Sequence, residues 1–375
     1  MISSSNELNR LFRLKGTIYT EKSLFDCLNK LDISEFDLII TNTFLLKQLN
    51  NTNKVSKATI INTDIYGIGE PKEDWVNEII KIANSMEFKR VIAIGGGATI
   101  DIAKLCVFND GRSVKELFED KLIIKKQREL IALPTTCGTG SEVTNVSVVE
   151  FNSIKSKLGL QIDELFPDKA ILVGELLNSL PYKTFILTSI DALSHAIESL
   201  LSPKGNPYTD MYARSAIEGI VENLLEIKEK GNVPSDLEKS LICANMAGIA
   251  FSIAGCATMH AMSFPLGANY HLAHGEAVYA VFAKTLEYYR FKNISIDKLE
   301  RVLNILFNNN DGLSSLINLL NKLYDCPNFK EMGINESICD EMAISVFNNQ
   351  QRLLVNSPQP LTSDDLSKIY KNCIE

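Results

Sequence analysis

Short β-branched runs recur along the first half of the chain and stop near residue 180. Asp37-Leu-Ile-Ile-Thr41, Arg90-Val-Ile-Ala-Ile94, Glu129-Leu-Ile-Ala-Leu133 and Ala170-Ile-Leu-Val173 are too short for helices and apolar throughout their interiors. That is the pattern of strands covered on both faces. Helical spacing separates them. Residues 73–86 put Trp75, Ile79, Ile82 and Ala83 on one stripe, and 98–108 read as a second helix. Strands alternating with helices pair in parallel through crossovers, so residues 1–180 read as an α/β domain with a parallel, Rossmann-like sheet. Within it, Asn42-Thr43 reads as a polar turn. Residues 142–151 read as β-rich, Asn152-Ser153 as a turn and 157–161 as a returning strand. From residue 181 the period is helical almost to the end, at 188–201, 210–228, 237–262 and again beyond Glu276. Residues 181–375 therefore read as an all-α domain.

Composition narrows the class. The 375 residues are comfortable for two domains at roughly 150 residues each. Thirty-eight Lys and Arg against 46 Asp and Glu leave a net charge of -8, which argues against a nucleic-acid partner. The opening ten residues lack the apolar core of a signal peptide, and the eight cysteines are scattered without a CxxC pair. Both point to a cytoplasmic protein with free thiols, and no metal is placed on cysteine. Residues 240–275 contain no Asp, Glu, Lys or Arg, a length that could span a bilayer. The stretch is rich in Ala, Gly and polar residues, including three histidines, so it reads as the buried centre of a helical domain and not as a membrane span.

Two loops follow strands in the α/β half. Gly95-Gly-Gly-Ala-Thr-Ile-Asp101 sits where a strand ends and a helix begins. Glycines there let a backbone approach phosphate oxygens, and a helix N-terminus offers free N–H groups. The spacing is not GxGxxG, and a glycine triplet alone is as often a tight turn. Pro134-Thr-Thr-Cys-Gly-Thr-Gly-Ser-Glu142 follows the next strand and brings several hydroxyls to the same carboxyl edge, where open α/β sheets bind ligands. Together the loops favour a dinucleotide site.

All four histidines, 195, 260, 271 and 274, lie in the second half. Asp191 and His195 are four apart on a helix and share a face. With His260 and His274 they make a carboxylate and three imidazoles, a set suited to Fe²⁺ or Zn²⁺ with a position left for substrate. One helical histidine is more often a satisfied core residue; three beside an aspartate in apolar surroundings favour a metal.

These motifs resemble the iron-containing alcohol dehydrogenase family. The resemblance runs in order through Gly95–Lys104, 134–145, 191–198, 260–267 and His274-Gly275. It implies a dinucleotide-binding α/β domain, a helical metal-binding domain and a cleft between them. By motif, Asp191, His195, His260 and His274 resemble the metal ligands. Gly95, Gly96 and Gly97 resemble the pyrophosphate cradle, with Asp101 towards the nicotinamide. Thr135, Thr136 and Thr139 resemble a second cofactor loop, and Lys157 a lysine reaching the cofactor ribose. Residues 137–148, 206–211 and 350–356 resemble the wording of a subgroup from fermentative anaerobes that interconverts 4-hydroxybutyrate and succinate semialdehyde with NADH. The resemblance also implies a homo-oligomer.

Two positions depart from the family pattern. Phe264 stands where many members carry a proton-relay histidine, which leaves His271 as the candidate catalytic replacement. Asn42 stands where many carry an aspartate that holds the adenosine ribose, which opens NADP beside NAD. Other substrates (a diol, lactaldehyde, butanol, glycerol) fit the same scaffold. An NAD- and metal-dependent lyase resembling dehydroquinate synthase, and a non-catalytic binding protein, are the rivals of other classes.

Overall fold

The computed structural model describes residues 11–119, 125–152 and 156–374. The opening ten residues, and Ser153 of the expected turn, lie outside the described residues. The strands are β1 Thr17–Glu21, β2 Asp37–Thr41, β3 Thr59–Asn62, β4 Arg90–Gly95, β5 Glu129–Pro134, β6 Val146–Phe151, β7 Ser156–Gln161 and β8 Lys169–Val173. Six of them form one sheet in the order β1-β8-β5-β4-β2-β3, with every pair parallel. β6 and β7 pair as a separate antiparallel hairpin.

Both faces of this sheet are covered. Leu38, Ile40, Val91, Ala93, Leu130 and Ala132 pack into one core, while Ile39, Ile92, Ile94, Ile131 and Leu133 pack into another. The two-residue alternation explains why the central strands are apolar at every position. β1 and β3 escape the run pattern because they are the sheet's edges, and β1 is largely exposed.

The helices depart from the sequence reading in three places. Asn42-Thr43 is the start of a helix, not a free turn. Asn42 caps Thr43–Asn51 by accepting from the Leu45 N–H at 2.9 Å. The helix from Glu73 ends at Ala83, and its buried face is Val76, Ile79, Ile80 and Ala83, with Trp75 and Ile82 only half-buried. The expected single helix over 237–262 is two, Leu237–Ala254 and Thr258–Tyr270. The break falls at Gly255, whose φ of 82° only glycine adopts readily, and Asn356 donates to the Cys256 carbonyl at 2.8 Å. Apolar periodicity runs across this break, so it left no trace in the pattern.

β8 ends at Val173, and the first long helix of the second half is Tyr182–Leu201. Among the described residues, Leu237–Ala254 is the one helix long and apolar enough to cross a membrane by length and composition. It packs against Tyr182–Leu201 and Pro207–Lys230, and Ala244, Ala247, Gly248 and Ala250 are buried there. Small residues let it meet the α/β half closely: a Cβ on Gly140 would lie 2.5 Å from the Gly248 Cα.

Candidate active site between the sheet edge and the helical half

Strand order locates a crevice that the sequence could not. β2 connects onward to β3 on one side, whereas β4 connects to β5 on the other. Adjacent strands whose connections diverge leave an opening at their carboxyl ends. Asn42 follows β2 and Gly95–Gly97 follow β4, so these two segments flank that opening. Register brings the next loop alongside. Gly95 pairs with Pro134, and the Thr135 N–H donates to the Gly95 carbonyl at 3.1 Å.

The glycines meet the threonines directly. A Cβ on Gly97 would fall 2.7 Å from Thr139 Cγ2, and one on Gly96 would touch Thr136 at 3.4 Å. Gly96 is the N-cap of Gly97–Leu105 and offers no side chain to the first N–H groups of that helix. Those donors, with the positive end of the helix dipole, suit a pyrophosphate. Thr135 is buried, and Thr136 and Thr139 are half-buried.

Asp101 has a bracing position. Its Oδ1 accepts from Ser141 Oγ at 3.1 Å and Lys104 Nζ at 3.3 Å, and its Oδ2 accepts from the Val148 N–H at 3.0 Å. It thus ties the glycine loop's helix to the threonine loop and to β6. Glu142 reaches the other way and accepts from Asn245 Nδ2 at 2.8 Å, joining the threonine loop to the helical half. Asn42 spends its Oδ1 on the helix cap, and the adjoining Thr43 N–H donates to Asp64 Oδ2 at 2.9 Å.

Tyr182–Leu201 supplies the polar centre of the helical half. Asp191, His195 and Glu198 lie at i, i+4 and i+7, so one buried face carries all three. Asp191 Oδ1 is 3.4 Å from His260 Nε2 and 3.5 Å from His274 Nε2. The His195 ring stacks on His260 with centroids 4.4 Å apart, and Phe251 covers its other side at 4.2 Å. The structure therefore gathers Asp191, His195, His260 and His274.

The donor atoms fit a divalent cation. Asp191 Oδ1, His195 Nδ1 and His260 Nε2 are buried without a hydrogen-bond partner. Each buried polar atom left so costs about 1–3 kcal/mol. A cation among them removes that cost. Burial pushes His195 down to about 3, which keeps its imidazole neutral and able to ligate. Burial works to raise Asp191, but the three imidazoles hold it well below the usual carboxylate range. For His260 burial works downward, and Glu198 and Asp191 overcome it, lifting the imidazole to about 9.

Glu198 was not singled out in the sequence, yet it organises the site. Its carboxylate accepts from the Ala257 N–H at 2.7 Å, the Met259 N–H at 2.5 Å and His260 Nδ1 at 2.7 Å. Holding Nδ1–H in this way turns Nε2 towards Asp191 and His274, where a bound cation would take the place of the Nε2 proton. The available signal was a glutamate one turn beyond His195, on the face that carries Asp191.

Cys256 comes within 4.8 Å of donor atoms on His195 and His260. Burial, reinforced by Glu198 and Asp191, pushes its thiol well up. His271 is not gathered with the other histidines. It is exposed, with φ of 57°, as the C-terminal cap of Thr258–Tyr270. Lys157 pairs with Glu70 at 3.1 Å and lies 5.8 Å from the centre of the Phe264 ring. Arg352, also absent from the sequence candidates, lies 5.9 Å from the same ring.

Comparisons with known proteins agree with this arrangement. The iron-containing alcohol dehydrogenase family model matches residues 18–173, and the C-terminal model of the Fe-containing alcohol dehydrogenase family matches 185–374. The chain is 40% identical over 370 residues to 4-hydroxybutyrate dehydrogenase of Clostridium kluyveri, covering 96% of this chain and 99% of that one. It is 31% identical to long-chain-alcohol dehydrogenase 1 of Geobacillus thermodenitrificans, over 89% of this chain and 88% of the relative. Sulfoacetaldehyde reductase from Bifidobacterium kashiwanohense, solved in complex with NAD+, superposes with a TM-score of 0.82 at 26% identity, covering 97% of this chain and 98% of that one. With both halves matched in order and relatives spanning nearly its whole length, the chain belongs to the iron-containing alcohol dehydrogenase family.

Proposed function

We propose that this enzyme interconverts 4-hydroxybutyrate and succinate semialdehyde, using NAD(H) and a ferrous ion held by Asp191, His195, His260 and His274. The observation that carries the chemistry is the cluster of buried, unpartnered donor atoms opposite the phosphate-binding edge of the sheet. The substrate reading is supported by the 40% identity to 4-hydroxybutyrate dehydrogenase over nearly the full chain. Bound metal supplies a Lewis acid that stabilises negative charge on the substrate oxygen, and the nicotinamide supplies or takes the hydride.

The chain's own residues do the positioning. The free N–H groups after Gly96 anchor the coenzyme's pyrophosphate, with Thr136 and Thr139 closing the other side. Glu198 fixes the His260 tautomer from behind. The His274 side chain is 33% exposed where His260 is 6% exposed, so substrate and solvent reach the cluster along His274. Phe264 has no proton to give, and proton exchange at the substrate oxygen falls to solvent on that open side. We assign NAD as the preferred coenzyme, since the Asp64 carboxylate beside the Thr43 N–H would repel a 2′-phosphate.

The test is reconstitution under anaerobic conditions with Fe²⁺ and, separately, Zn²⁺. Coenzyme oxidation is then followed with succinate semialdehyde, butanal and lactaldehyde, each with NADH and NADPH. Metal-dependent turnover is expected to have its highest kcat/KM with succinate semialdehyde and NADH. Higher kcat/KM for the uncharged aldehydes would refute the substrate reading. Chelator-insensitive turnover would refute the metal site.

A further inference from the structure

An enzyme for 4-hydroxybutyrate must hold a carboxylate a fixed distance from the reacting carbon, and the metal-binding segment itself carries no Lys or Arg. Cations come instead from outside that segment. Phe264 lies one helical turn beyond His260, about 6 Å along the axis and on the same face. Two cations flank its ring, Lys157 from β7 and Arg352 from the short helix Gln351–Leu354. They differ in what they already hold. Lys157 is paired with Glu70. The Arg352 guanidinium has no hydrogen-bond or ion-pair partner among the described residues.

The surface of Arg352 is solvent-accessible, yet surrounding protein desolvates the guanidinium enough to lower its pKa, with Cys256 acting in the opposite sense. Gly159 of β7 faces it across the gap, where an added Cβ would lie 3.6 Å from Arg352 Nη1. Any longer side chain there would fill the space in front of the guanidinium. A four-carbon chain extends roughly 5–6 Å from its alcohol oxygen to its carboxylate at bond lengths of about 1.5 Å, comparable with the one-turn rise of about 6 Å from His260 to Phe264.

We infer that Arg352 is the carboxylate-recognising residue of the substrate site, binding the far end of a four-carbon ω-hydroxy acid or its semialdehyde across the Phe264 ring. Planar guanidinium and planar carboxylate pair through two parallel hydrogen bonds, which fixes the distance to the reacting end as well as the charge. The inference rests on the substrate reading above and adds the group that enforces it.

The test compares wild type, Arg352→Gln and Arg352→Lys as metal-loaded enzymes, with succinate semialdehyde and butanal as paired substrates. The ratio of their kcat/KM values should fall about 10- to 100-fold in Arg352→Gln, chiefly through KM for the charged substrate. It should fall less in Arg352→Lys, which keeps the charge and loses the fork. Binding gives a second readout. Butyrate, which has the carboxylate but no reacting group, should perturb the fluorescence of enzyme-bound NADH with at least tenfold weaker affinity in Arg352→Gln. A ratio within twofold of wild type in Arg352→Gln overturns the inference. So does an NADH affinity that falls as much as butyrate affinity, because the guanidinium would then serve a coenzyme phosphate. If wild type itself favours butanal, the substrate reading fails first, which separates the two failures. Should Arg352→Gln fail to fold, Arg352→Lys decides: wild-type ratio and butyrate affinity together overturn the inference.

Discussion

Glu198→Gln isolates the role of a carboxylate that touches no substrate. The native group accepts three hydrogen bonds, two on Oε2, from the Ala257 N–H and His260 Nδ1, and one on Oε1, from the Met259 N–H. Glutamine has the same shape but only one accepting oxygen. If its carbonyl takes the Oε2 place, the amide NH₂ confronts the Met259 N–H. If it takes the Oε1 place, the NH₂ confronts the Ala257 N–H and donates to His260 Nδ1. The second arrangement moves the imidazole proton to Nε2, where it points at Asp191 and His274 and blocks ligation. Either way one buried backbone donor is orphaned, costing about 1–3 kcal/mol of folding stability. Loss of such an orienting partner typically weakens metal affinity about 10- to 100-fold. The assay is anaerobic competition for Fe²⁺ against a chelator of known affinity, with thermal unfolding of the metal-free protein alongside. An affinity within threefold of wild type, with stability unchanged, would show that Glu198 neither sets the tautomer nor secures the Gly255 break.

Three further outcomes are expected. Asp64→Asn should raise kcat/KM with NADPH relative to NADH by about tenfold, the equivalent of about 1.4 kcal/mol, and coenzyme titrations at low salt check it. His271→Ala should keep the pH–rate profile of wild type, since His271 is exposed at a helix end outside the cluster; a displaced limb would return it to proton relay. Asp37→Asn should destabilise by about 1.5–3 kcal/mol in denaturant titration, because it removes the charge from a part-buried pair with Arg90 at 2.6 Å. Burial works to raise the Asp37 pKa, but Arg90 and the Ser34 N–H overcome it and leave it lowered. The carboxylate's contribution is therefore complete above its unfolded value of about 3.9 and is lost as pH falls through the folded value. Asp37→Asn should accordingly show a shallower loss of stability below pH 4.

Much of the fold and of the candidate ligand set was legible because both rest on short-range regularities. β2, β4, β5 and β8 are covered on two faces, so each is an uninterrupted apolar run whatever its partners. Asp191 and His195 share a face because helical geometry alone puts i and i+4 together. The edge strands β1 and β3 carried no such run, since one side of each lacks a neighbour.

Other features exist only once distant segments meet. The crevice between β2 and β4 follows from strand order, which no single strand encodes. The break at Gly255 is invisible to apolar periodicity, and Glu198, 57 residues earlier, receives the two N–H groups that follow it. The motif sets Asp101 towards the nicotinamide, and only the tertiary structure shows Ser141, Lys104 and Val148 converging on it from three segments. Arg352 lies in the 350–356 stretch that resembles the subgroup, but nothing local marks its place, because its neighbours Phe264 and Gly159 are 88 and 193 residues away. Local spacing can nominate a side chain for a face of a helix or strand. Which buried atoms are left without partners, and which cation is left without a counter-charge, depends on long-range packing.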